Sequence, residues 1–78
     1  MSWNHRVLAV QHVDGSIQFQ IHEVYYNNLG YPILYTENPI SISGDDIDSI
    51  KWQLKHIKKC LKKPILWHGE NFPKKYKK

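Results

Sequence analysis

Between Gly44 and Lys62, apolar side chains recur at spacings of three and four: Ile47, Ile50, Leu54, Ile57 and Leu61. At ~100° per residue they gather into one stripe, with Cys60 at its edge, and predict an amphipathic helix. Ser43 with Asp46 three residues on resembles a capping box, and Ile42 and Ile47 fall where a hydrophobic staple would sit. Asp45, Asp46 and Asp48 crowd the first turn and Lys58, Lys59, Lys62 and Lys63 the last, each sign suited to its end of the helix dipole. Pro64 ends the element. A stripe of this kind needs an apolar surface to bury against.

Upstream the period changes to two. His5 to Val13 and Ile17 to Tyr26 read as strands joined at Asp14-Gly15, the dipeptide of a two-residue type I′ hairpin turn. With Val13 opposite Ser16, the register sets Val10 against Phe19, Leu8 against Ile21 and Arg6 against Glu23 on one face. That face, with Ile17, Tyr25 and Ile33, is expected to meet the helix. The other face pairs Gln11 with Gln18, Ala9 with Gln20 and Val7 with His22. Asn27-Asn28-Leu29-Gly30 suits a type I turn with Gly30 as a G1 bulge, leading to a third strand from Ile33 to Glu37 in which Tyr25 faces Ile33 and Val24 faces Leu34. Asn38-Pro39 breaks it. The expected fold class is α+β: a three-stranded antiparallel β-meander followed by one amphipathic α-helix packed on one face, in the order β-β-β-α. Residues 1–68 form the single domain, and 69–78 a weakly ordered, flexible basic C-terminal tail.

In this register Val7, Val24, Tyr26 and Leu34 cluster on the second sheet face. Either Ile65 to Trp67 folds back over them or pairs at a sheet edge, or a second copy of the chain covers them as a homodimer. Trp52 projects from the outer helix face, where a lysine stem or the tail covers it or a partner does. These five residues are the candidate partner surface. With only 78 residues, core burial is incomplete and self-association would add stability.

Charge sharpens the picture. The net +4 hides a segregation: residues 1–50 hold Arg6 against six acids, and residues 51–78 hold ten lysines against Glu70. Such an arrangement points to an anionic partner or to the chain's own acidic half, although lysine-rich helix faces are usually only solvated. Lys51, Lys55, Lys59, Lys62, Lys63, Lys74 and Lys75 are the candidate nucleic-acid contacts, with Trp52, Trp67, His56 and Tyr76 available for stacking. The element order is similar to the latter part of a double-stranded-RNA-binding domain. Those domains present lysines at the start of this helix, where this chain has Gly44-Asp45-Asp46, and the carboxylates there repel phosphate.

The five histidines include no His-x-x-x-His spacing and the lone Cys60 no Cys-x-x-Cys, and His5 and His22, expected as diagonal neighbours, lack a third ligand. No metal and no cofactor is therefore expected. Glu23, His22, Thr36 and Cys60 match no nucleophile elbow, phosphate loop or paired-carboxylate signature, and Glu23 is accounted for by Arg6. One cysteine excludes an internal disulfide and suits a reducing cytoplasm. No apolar run approaches ~18 residues and MSWNHR carries no apolar targeting core, so no membrane association is expected. The function expected is a small non-enzymatic protein-interaction module acting through the second sheet face or the Trp52 surface, with nucleic-acid binding as the alternative.

The strings WNHRVL, QIHEVYY, Gly30-Tyr31-Pro32 followed by YTENP, and CLKKPIL together resemble a family of small uncharacterised bacterial proteins. The resemblance covers nearly the whole chain before the lysine-rich tail. It implies a small single-domain bacterial protein and assigns no functional residue.

Overall fold

In the computed structural model, which describes residues 2–77, two turns of the same geometry lay out the first three strands. At the first, His12 N donates to Ser16 O and Gly15 N to His12 O; at the second, Asn27 N donates to Tyr31 O and Gly30 N to Asn27 O. Both are three-residue loops in which only the glycine, at φ 89° for Gly15 and 85° for Gly30, takes the left-handed conformation. The Gly30 turn is the one expected; the first is not the two-residue type I′ turn. That turn would force Asp14 to positive φ as well. Asp14 instead keeps an ordinary backbone, and its Oδ1 accepts from Ser16 N (2.9 Å) and Ser16 Oγ (2.7 Å). The Ser16 hydrogen bonds hold its carboxyl below the usual carboxylate range.

The extra loop residue moves the hairpin register by one, and with period two this turns every side chain of the first strand to the other face, while the odd-numbered residues of the second stay on the helix side as expected. Strand β1 (Ser2–Gln11) pairs antiparallel with β2 (Ile17–Tyr26), setting Val7 against Ile21, Leu8 against Gln20, Ala9 against Phe19 and Arg6 against His22. The expected Leu8–Ile21, Val10–Phe19 and Arg6–Glu23 pairs do not form. Strand β3 (Pro32–Tyr35) pairs antiparallel with β2, first Tyr26 with Pro32 in the expected register. An irregularity between Tyr25 and Tyr26 then shifts it, so that Tyr25 meets Leu34 and Val24 meets Tyr35. A fourth strand, β4 (Leu66–Trp67), lies parallel to β1 and completes a mixed sheet of order β3-β2-β1-β4. The three-stranded antiparallel meander is thus extended at its β1 edge by the same Ile65–Trp67 segment that was expected to fold back or pair there.

Helix α1 runs Ile47–Ile57 and continues as a 3-10 turn from Lys58 to Lys62. Its cap is Asp46, not Ser43: Asp46 Oδ1 accepts from Ser49 N at 2.8 Å, while the Ser43 carbonyl accepts from Gln53 Nε2 at 2.6 Å. Gly44 lets this lead-in fold back, since a side chain there would run into Ser49. The helix crosses the face carrying the odd-numbered residues of β1 and β2, where Val7, Ile57 and Cys60 form a core with Ile21, Ile40 and Ile65. Of the expected stripe only Ile57 is buried; Ile47, Leu54 and Leu61 are 67%, 49% and 68% exposed. The buried arc runs instead through Ile50, Gln53, Ile57 and Cys60, which at ~100° per residue turns the helix by roughly 60° from its expected phase. The 3-10 turn carries Cys60 into the same core. The sheet face beneath offers polar His5 and Glu23 at one end, and there Gln53 and His56 are better neighbours than leucine.

The even-numbered face forms a second core of Leu8, Val24 and Leu66 with Tyr26, Tyr35 and Phe72. The chain after Gly69, expected to be a weakly ordered tail, lays Phe72 into this core and then pairs along the outer edge of β4: Trp67 N donates to Lys74 O, Tyr76 N to Ile65 O, and Leu66 bridges Lys75 in antiparallel sense. Met1 and Lys78, the outer ends of the two expected segments, lie outside the described residues. Arg6, nearly buried, ties β2 to the segment leading into β4 through Nη1 to Tyr26 Oη (2.8 Å) and Nη2 to the Pro64 carbonyl (2.7 Å), and Tyr26 Oη donates to Asn4 Oδ1 (2.8 Å).

Candidate interaction surfaces

The structure disperses the candidate partner surface. Val7 is buried under the helix, Val24 is fully buried in the other core, and Tyr26 is half-buried there with its hydroxyl engaged by Arg6 and Asn4. Leu34 is exposed but, paired with Tyr25, belongs to the helix-side face at the β3 edge. The second-face cluster therefore does not exist as a surface, and the homodimer expected through it loses its basis. Trp52 alone stands as expected, 62% exposed on the flank of α1.

The lysines are likewise not one patch. Lys51, Lys55, Lys59, Lys62 and Lys63 are exposed on α1 and the turn after it, whereas Lys74 and Lys75 run beside β4. Lys59 and Lys63 border a groove of about 470 Å³ between the helix and the start of β1, walled by Trp3, His5, Trp52 and His56. A recess of about 230 Å³ continues from it past His5, Trp52 and His56 to Glu23, Ser41 and Gln53. The His56 ring stacks on Trp52 at 3.8 Å and 26°, with Nδ1 2.9 Å from the Trp52 carbonyl, so both rings are held in place. Trp3, 54% exposed, meets His5 edge to face at 5.4 Å. Residues 1–4, ahead of the strand expected from His5, are too few to show a period, so the sequence offers for Trp3 only packing on the first strand; the strand in fact begins at Ser2, and its register puts Trp3 on the helix side.

On the other flank of α1, Ile42, Leu54 and Leu61 frame a recess of about 310 Å³ floored by Ile21, Ile57 and Cys60, with Lys58 beside it. Ile47 prolongs the apolar line, seven residues from Leu54 as Leu54 is from Leu61. Lys51 and Lys58 lie on the outward side of this strip at ~100° per residue.

The titratable groups expected to carry chemistry are otherwise engaged. His5 and His22, expected as neighbours, sit on opposite sheet faces. His22 is fully buried, with Nδ1 2.9 Å from the Thr36 carbonyl and Nε2 2.9 Å from the Gln20 side-chain amide. Burial pushes its imidazole down from the ordinary 6.5, against the Thr36 hydrogen bond that raises it, and neighbouring His68 pushes the same way as burial. Glu23, free of Arg6, accepts from Tyr25 Oη at 2.8 Å, which pushes the Tyr25 phenol up. Cys60 is buried, and burial pushes its thiol up, away from the thiolate that a nucleophile needs. Among the described residues no three His, Cys, Asp or Glu side chains gather as metal ligands would, and no helix is long and apolar enough to cross a membrane. No family model, no curated protein and no solved structure matches the chain.

Proposed function

We propose that the protein is a small non-enzymatic interaction module that docks an acidic, amphipathic helical segment of a partner protein along α1. The observation that supports it is the strip of Ile42, Ile47, Leu54 and Leu61, left outside by the turned helix and open onto a recess of about 310 Å³. Contiguous apolar side chains on a small domain mark a contact surface, and a partner helix presents apolar residues at matching spacing. Lys51, Lys55 and Lys58 flank the strip, so a partner with carboxylates beside its apolar line gains attraction and a basic one is repelled. A second copy fits less well. A two-fold antiparallel pairing centred on Leu54 would set Lys51 of each chain against Lys58 of the other. The single buried thiol of Cys60 suits action in a reducing compartment such as the cytoplasm.

The test uses two helical peptides with the same leucine line, one flanked by glutamates and one by lysines. The glutamate peptide is expected to bind at least ~10-fold tighter, and Leu54→Glu is expected to abolish that preference while the circular-dichroism spectrum stays native. Equal binding of both peptides, or full binding by Leu54→Glu, would overturn the reading. So would sedimentation showing the protein alone to be a dimer that Leu54→Glu dissociates.

A further inference from the structure

We infer that the groove between Trp3 and Trp52 is a binding site for a single nucleobase carrying a phosphate, supplied either by a free nucleotide or by a short single strand. This site lies on the flank of α1 away from the Leu54 strip and stands independently of the docking function.

Three observations converge on this ligand. The first is that two tryptophans stay largely exposed on facing walls of one groove, though each has a histidine fixing its ring. His56 covers one face of the Trp52 indole and leaves the remainder of that ring open to a flat aromatic guest. Bases stack on such rings whatever their identity. The second is volume: about 470 Å³ falls within the range of small-ligand sites, and Cys60 lies in its lining as a buried neutral thiol that brings no charge. The third is the position of charge. Lys59 and Lys63 border the groove, where they can meet a phosphate, while Glu23 and Gln53 line the adjoining recess, where they can meet the hydrogen-bonding edge of a base. Glu23 in that recess and the three aspartates at the far end of the helix disfavour a polyanion laid along its length. The site therefore reads one nucleotide, or the end of a strand, and not a duplex.

Fluorescence anisotropy of a labelled eight-nucleotide thymidine strand, with a nucleoside monophosphate, the bare nucleoside and inorganic phosphate as competitors, tests the site. The strand is expected to bind saturably and the monophosphate to displace it. The nucleoside or phosphate alone should need at least ~10-fold higher concentration, because each satisfies only one half of the site. Trp52→Ala is expected to weaken binding ~5- to 160-fold, the range for losing one stacked base, and Lys59→Gln with Lys63→Gln to lower the salt slope by about 1.4. Both variants change exposed side chains, and a native circular-dichroism spectrum checks that the fold is kept. Displacement by the monophosphate assigns the site to a free nucleotide; tight strand binding that the monophosphate fails to displace assigns it to strand ends. No binding of strand or nucleotide at millimolar concentration, or binding unchanged by Trp52→Ala, would overturn the inference.

Discussion

Leu8→Ala is expected to destabilise the domain by ~2–5 kcal/mol, whereas Leu54→Ala should cost under ~1 kcal/mol. Leu8 has no exposed surface and sits between Val24 and Leu66 in the core on the even-numbered sheet face, where the flanking strands leave little room to collapse into a cavity. Leu54 is half exposed at the edge of the helix. The pattern of the sequence alone assigns these two leucines to the same core and Leu54 to its centre, so the ratio of the two costs separates the two arrangements. Denaturant unfolding measures both. A domain of this size has only ~5–10 kcal/mol in hand, and the Leu8 variant should therefore unfold at a markedly lower midpoint with an unchanged slope. Equal costs, or a larger one for Leu54, would mean that the helix stripe packs inward.

Replacing His22 should have an effect of similar size, with a pH signature. Its ring is fully buried and hydrogen-bonded at both nitrogens, so His22→Ala is expected to cost roughly 3 kcal/mol through lost packing and unpaired Thr36 and Gln20 groups. The folded imidazole titrates below its ordinary 6.5, because burial disfavours the cation. In the interval below pH 6.5 the unfolded chain binds a proton that the folded chain refuses. The neutral-ring contribution is therefore whole above pH 6.5 and is lost as the pH falls from there through the folded value. The ring packs against Tyr35 and His68. Unfolding measured between pH 7.5 and 5.5 should show this fall in the native protein and a shallower one in His22→Gln, which keeps a polar side chain without a titration. Parallel pH profiles for the two would contradict the assignment.

The elements of the fold were legible where local chemistry has a single solution. β2 begins and ends at the residues its turns require, Gly30 takes the left-handed position its turn demands, and an amphipathic helix follows the third strand. What the sequence concealed was phase. Asp14-Gly15 signals a two-residue turn and a three-residue turn equally well, and the expected register paired Leu8 with Ile21 and Arg6 with Glu23 so neatly that nothing local argued against it. The true register puts Leu8 on the other face and leaves Arg6 to bind Tyr26 and the Pro64 carbonyl. The helix has the same ambiguity. Ser43 and Asp46 are both acceptable caps, and a helix carrying Ile50, Leu54, Ile57 and Cys60 has two apolar lines of which the sheet covers one. β4, two residues long, is too short for any period, and its parallel pairing to β1 is a tertiary decision.

The candidate surfaces follow from those phases. Trp52 was legible as an outward aromatic because every helix phase consistent with the lysines puts it away from the core. Its neighbour Trp3 was not, because it reaches the groove only in the observed register. The Leu54 strip was read as core, since apolar periodicity says that a face is buried without saying by what. Lys59 and Lys63 gained a role by lying beside Trp52, while Lys74 and Lys75 were separated from the helix by the return of the chain along β4.

Both binding sites rest on the helix lying over Val7 and Ile21 through Ile57 and Cys60 with Leu54 turned outward. Methyl nuclear Overhauser spectra of the selectively labelled protein read this directly. The Ile57 methyls should show strong cross-peaks to Val7 or Ile21, while Leu54 shows none to Leu8 or Val10 and Leu8 connects to Val24 and Leu66. Cross-peaks joining Leu54 or Leu61 to Leu8 and Val10 would restore the two-residue hairpin register, bury the strip and contradict the account.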